Sequence, residues 1–208
     1  MCIRDSFRID HYEGLPAKII VTLERQKFMR VFVAVEIDNV DIIQKIKSVQ
    51  ETATFEAKPV RIDQIHFTLQ FLGEISEEKA EKVKSVLLTI DFQRFSLAIG
   101  GFGAFPNTKN PRIVWLGVDK LGGEKLSNVA KNVNSVLSPI GFNVDKQFRP
   151  HLTIFRIKTK IGDIANELLK FKDVEFGKQM VSKIILKKSE LSKNGPEYTN
   201  LVEVNGKP

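Results

Sequence analysis

The chain has 208 residues, 42% of them hydrophobic and 27% charged, which is enough for one sizeable core without metals or disulfides and argues against disorder; no apolar run nears the roughly 18 residues of a membrane-spanning helix. A formal net charge of +7 suits a polyanionic partner such as nucleic acid, yet the cations are spread too evenly to separate that from an ordinary solvated surface. The single cysteine, Cys2, excludes an internal disulfide and a cysteine-rich zinc cluster.

Residues 1–28 lack sustained periodicity and read as an extension, either an upstream translation artefact or a flexible tail, with a short strand near "KIIVTL" as the structured alternative. "MCIRDSFRIDHYEGLPAK" mixes charge and polarity where a secretory signal needs an apolar stretch, so the expectation is a cytoplasmic protein. His11, in this segment, has no threonine two residues on and reads as solvated. A single domain is expected over 29–208.

"MRVFVAVEID" from Met29 is a strand, with Val31, Val33 and Val35 alternating against Phe32 and Ala34. In "NVDIIQKIKSVQE", Val40, Ile43, Ile46 and Val49 recur at a spacing of three, so an amphipathic helix follows. A strand is expected over 60–72. "SEEKAEKVKSVLLTI" then opens on Ser76 as an N-cap, with glutamates in the first turn and Ala80, Val83 and Leu87 along one stripe.

"FSLAIGGFGAFP" and "PRIVWLGVD" read as two strands of a hairpin joined through "NTKN", and the glycines of "GGFGAF" read as a bend in a strand rather than a phosphate-binding loop. "LGGEKLSNVAKNVNSVLSPIG" reads as a helix with Gly141 after its end. A strand at "HLTIFRIK", a short helix at "IGDIANELLKF" and closing strands at "MVSKIILKKSEL" and "YTNLVEV" complete the chain. The expected class is α+β, two lobes with facing sheets and no linker between them.

Two of the three histidines, His66 and His151, each stand two residues before a threonine, Thr68 and Thr153, inside an apolar run. Side chains alternate along a strand, so His66, Thr68 and Gln70 should share one face while Ile65, Phe67, Leu69 and Phe71 take the other. His151 and Thr153 likewise oppose Leu152 and Ile154. Either pair alone suits a hydrogen-bonded core or edge histidine; the duplication points to chemistry.

Imidazoles titrate near neutrality, so one can accept a proton while another donates, and threonine hydroxyls can donate to phosphate oxygens. That combination suits a phosphodiester. Two histidines without a carboxylate at ligand spacing are too few for a metal site, so neither a metal nor a cofactor is expected. Serine chemistry of the G-x-S-x-G kind has no motif here.

"IHFTLQFLGE", "FGAFPNTKNPRIVWLGV", "FRPHLTIFR" and "LKKSELSKNGPEYTNL", in this order over roughly 180 residues from Met29, resemble the two-histidine (2H) phosphoesterases, and among them the RNA 2',3'-cyclic phosphodiesterases once called 2'-5' RNA ligases. The resemblance implies a bilobal fold, two antiparallel sheets around a central cleft with helices outside, and one His-x-Thr motif from each lobe facing the cleft. It implies His66 as the general acid at the ribose 3' oxygen, His151 as the general base on water, and Thr68 and Thr153 on the phosphate oxygens. Arg156 matches a basic residue after the second motif; strict alternation turns it away from His151, so a bulge or the strand's end must re-aim it. Phe105 and Trp115 are candidates for stacking on a base, with the core as the alternative.

The expected substrate is an RNA end bearing 2',3'-cyclic phosphate, tRNA fragments included, handled by a metal-independent monomer away from membranes. Other readings are a small cyclic nucleotide or a 2'-5' linkage as substrate, with ligation as the reverse reaction. A non-catalytic RNA-binding module is the alternative from another class.

Overall fold

A computed structural model describes residues 28–144, 146–193 and 195–208. The expectations for the amino-terminal extension, its strand and His11 lie outside the described residues; Phe28 already belongs to the first strand. Strand β1 spans Phe28–Glu36 and helix α1 Val40–Thr52. The side chain of Asn39 caps that helix by accepting from the amides of Asp41 and Ile42. The two-residue β2, Lys58–Pro59, and a 3₁₀ turn at Ile62–Gln64 lead into β3, His66–Ser76. A strand over 60–72 is therefore corrected: His66 opens the strand, and its ring is positioned by the turn before it.

Ser76 caps α2, Glu77–Leu87, by accepting from the amide of Lys79, as the sequence implies. Next come the hairpin β4, Phe95–Phe105, with β5, Ile113–Val118, and then α3, Lys120–Leu137. The β4–β5 ladder slips between Gly100 and Phe102, and Gly101 takes φ +70°, so the expected bend is a bulge built on a left-handed glycine. Strand β6, Leu152–Arg156, the short helix α4, Ala165–Leu169, and strands β7, Gly177–Val181, β8, Lys183–Ser192, and β9, Gly195–Asn205, follow.

The strands form two sheets, β3-β1-β8-β9 and β2-β6-β5-β4-β7, antiparallel throughout. The sequence pattern predicts one strand at "MVSKIILKKSEL". There are two: β7 ends the second sheet, and after Ser182 the chain crosses to the first as β8. Strands β8 and β9 thus return to the sheet of β1 and β3, so the lobes are not simply the chain's two halves.

Val31, Val33, Ile42, Ile46, Phe67, Leu126, Leu152 and Ile154 are among the residues of one continuous buried cluster, packed between the sheets' inner faces and the helices. Among the described residues no helix is long and apolar enough to cross a membrane. Each sheet contributes one His-x-Thr segment, on β3 and at the start of β6.

Candidate active site

His66, Thr68, His151, Thr153, Arg156 and Tyr198 line a single cavity of about 310 Å³. Lys58, Arg61 and Lys158 stand around it, and no carboxylate lies among its described lining residues. Part of the cationic surplus is therefore concentrated where an anion would sit.

The two imidazoles are held alike. Nδ1 of His66 lies 2.7 Å from the carbonyl oxygen of Gln64, and Nδ1 of His151 lies 2.7 Å from that of Arg149. A carbonyl only accepts, so each Nδ1 carries a hydrogen and each Nε2 is the nitrogen left for chemistry. Gln64 is anchored in turn, its side-chain amide donating to the carbonyl of Pro196 at the start of β9.

Their surroundings differ. The His66 ring lies against Phe32, centroids 4.9 Å apart, and edge-on to Tyr198 at 5.5 Å. This enclosure lowers its pKa to about 4; the charges of Lys187 and Arg156 push in the same direction, against the Gln64 carbonyl and Glu36. His66 is accordingly neutral at pH 7. His151 packs edge-on to Phe105, centroids 5.1 Å apart. Burial also raises the pKa of Tyr198, so its phenol stays protonated and can donate.

Arg156 reaches the cavity through a bulge. In the β5–β6 ladder Trp115 faces Thr153 and Val114 faces Phe155, which leaves Ile154 as the extra residue and turns Arg156, opposite Ile113, to the face of Thr153. The carbonyl of Ile154 accepts from the amide of Val60 at 2.9 Å and from Nε2 of Gln50 on α1 at 2.8 Å. Both donors lie outside the β5–β6 ladder, so the bulge is pinned from the opposite side.

The same device on β3 corrects the expected alternation. Ala34 faces Thr68 and Val33 faces Gln70, so Leu69 is the extra residue. Gln70 therefore leaves the face of His66 and is buried opposite Val33. A second slip beyond Val31 and Phe32 follows, and Phe71, opposite Phe32, stands on the cleft side with 73% of its surface exposed.

The description "LigT like Phosphoesterase" belongs to a family model that matches this chain twice in tandem, over residues 37–115 and 116–198. The chain belongs to the LigT-like phosphoesterase family. It is 38% identical to the RNA 2',3'-cyclic phosphodiesterase of Archaeoglobus fulgidus over 175 residues, 83% of this chain and 98% of that protein. With the enzyme of that name from Aeropyrum pernix the identity is 41% over 150 residues, 71% and 85% of the two chains. Among solved structures, E. coli LigT complexed with 3'-AMP superposes with a TM-score of 0.72 at 23% identity, covering 88% of this chain and all of that one. A Thermus thermophilus protein gives 0.70 at 27% identity, covering 85% and 97%. The recognised family and the α+β fold with two antiparallel sheets are thus borne out.

Each LigT-like match contains one motif, His66 with Thr68 in the first and His151 with Thr153 in the second. Each motif is followed by a bulge at the residue after its threonine. Phe71 and Arg156, both five residues after their histidine, are equivalent across the repeat. Of the stacking candidates, Phe105 lies beside His151, while Trp115 packs on Phe105 and over Gly103, where a Cβ would fall 2.1 Å from its ring.

Sequence reasoning missed Tyr198 and Lys187. Lys187 is buried, its Nζ 2.6 Å from Glu36 and 2.7 Å from Oδ1 of Asn200. Glu36 in turn pairs with His66 across β1 and β3. Only strand pairings distant in sequence bring these groups to His66; a lysine inside the apolar strand pattern of "ILKKSEL" is the available signal. Among the described residues, no group of three or more His, Cys, Asp or Glu side chains could hold a metal ion.

Proposed function

We propose that this LigT-like protein hydrolyses 2',3'-cyclic phosphodiester ends of RNA to 2'-phosphomonoesters without a metal, using His66 and His151 as its acid and base. Thr68, Thr153 and Arg156 hold the phosphate oxygens. The observation that carries this reading is the convergence of two imidazoles from different sheets, each with its threonine and with an Nε2 that no hydrogen bond among the described residues engages, on one cation-lined cavity. The activity named for the A. fulgidus and A. pernix relatives supports it.

Opening the ring requires water to attack phosphorus opposite the departing oxygen, so the group that takes a proton from water and the group that gives one to the leaving oxygen stand on opposite sides. Two sheets provide two sides. On the family's assignment Nε2 of His151 accepts the proton from water and Nε2 of His66 delivers one to O3'. Arg156, the threonine hydroxyls and the Tyr198 phenol meet the charge that builds on the phosphoryl oxygens in the transition state. His66 must then gain its proton as substrate binds, when a phosphate anion beside Arg156 offsets the positive field on that ring.

A second reading is favoured by the neutral state of His66 in the free protein. Here His66 takes the proton from water and His151 protonates the leaving oxygen; with the ribose held the same way, O2' departs and a 3'-phosphate results. Incubating the protein with an oligonucleotide ending in 2',3'-cyclic phosphate, chelator present, tests both. A 2'-monoester supports the first assignment and a 3'-monoester the second. An unopened ring contradicts the activity.

A further inference from the structure

Thr68 and His151 line a second cavity as well, an adjoining groove of about 860 Å³. Its walls carry Phe71 and Phe105, with Lys146 and Arg149 exposed along it. No carboxylate occurs among its described lining residues, and neither cation enters a salt bridge among the described residues.

The repeat sharpens this. At the position where the second motif presents a guanidinium, Arg156, the first presents a flat apolar ring, Phe71, which the bulge at Leu69 has brought to the cleft side. Phe71 is backed by Phe32, centroids 6.0 Å apart, yet its own outer surface is uncovered. It lies three strand residues beyond Thr68, about 10 Å along β3. That is too far for a group reacting at the histidines and suits the neighbouring unit of a polymer. Exposed aromatic rings with cations beside them are how single-stranded nucleic acid is held without base reading.

We propose that this groove holds the single-stranded RNA leading to the reacting end: Phe71 stacks on the penultimate nucleobase, and Lys146 and Arg149 meet the preceding phosphates. This rests on the phosphodiesterase reading and deepens it. The substrate is the end of a chain rather than a cyclic mononucleotide.

The test pairs binding with turnover. A fluorescent six-nucleotide RNA ending in 3'-phosphate is titrated by anisotropy against wild type, Phe71→Ala and Lys146→Ala, and kcat/KM is measured on 2',3'-cyclic AMP and on the same RNA with a cyclic end. Phe71→Ala is expected to weaken RNA binding about tenfold. Lys146→Ala lowers the slope of log affinity against log salt by about 0.7. Wild type should favour the RNA over cyclic AMP by tenfold or more, with Phe71→Ala erasing most of that preference and moving cyclic AMP turnover less than twofold. Equal kcat/KM on the two substrates, or variants that bind RNA as wild type does, overturn the groove while leaving the phosphodiesterase intact. Loss of binding in the variants with neither substrate hydrolysed by wild type supports the groove and rejects the phosphodiesterase.

Discussion

Replacing His66 with glutamine isolates the free energy tied to keeping that imidazole neutral. In an unfolded chain the ring titrates near 6.5, whereas in the folded protein its enclosure by Phe32 and Tyr198 brings it to about 4. Between those values the unfolded chain binds the extra proton. The contribution is therefore complete above about pH 6.5 and is lost as pH falls toward 4. A difference of about 2.5 units, at 1.36 kcal/mol each, makes the total loss about 3 kcal/mol. His66→Gln has no group to protonate there and escapes that loss. Urea unfolding of both proteins from pH 7 to pH 4 measures it, because carboxylates common to the two cancel in the difference. Wild type should lose about 3 kcal/mol more than the variant across the range. Parallel losses would refute the enclosed, neutral His66 on which the second mechanistic assignment rests.

Lys187→Met removes a positive charge acting on the same ring and leaves the Glu36 carboxylate uncompensated, so the His66 pKa should move upward in an NMR titration of its imidazole protons. Arg156→Met should lower kcat/KM on a cyclic-ended RNA about 100-fold, the scale for losing one charge-stabilising donor, with little change in the urea midpoint because Arg156 is exposed. Gly103→Ala sets a methyl 2.1 Å from the Trp115 ring and should cost about 1–3 kcal/mol in urea unfolding.

Local pattern was enough to read the two His-x-Thr segments, the helix capped by Ser76 and the β4–β5 hairpin, because each depends on alternation or on a residue next to the turn it makes. The pattern misled wherever a bulge intervened. Period-two reasoning set Gln70 beside His66 and hid Phe71, since nothing in "HFTLQFLGE" marks Leu69 as the unpaired residue. The same reasoning required a bulge before Arg156 could reach the cavity, and the slip at Ile154 supplies it. Tyr198 and Lys187 were out of reach for a different reason. Their approach to His66 depends on β8 and β9 rejoining the first sheet after the chain leaves the second at Ser182. Non-local pairing of that kind leaves no periodic trace near either residue.

Initial rates of ring opening by wild type, His66→Ala and His151→Ala, each with chelator on one cyclic-ended RNA and each checked for an unchanged circular dichroism spectrum, bear most directly on the central claim. If both imidazoles act on one phosphorus, each single variant loses at least about 100-fold, in line with the usual contribution of a positioned acid or base. Either variant turning over substrate at the wild-type rate contradicts the account.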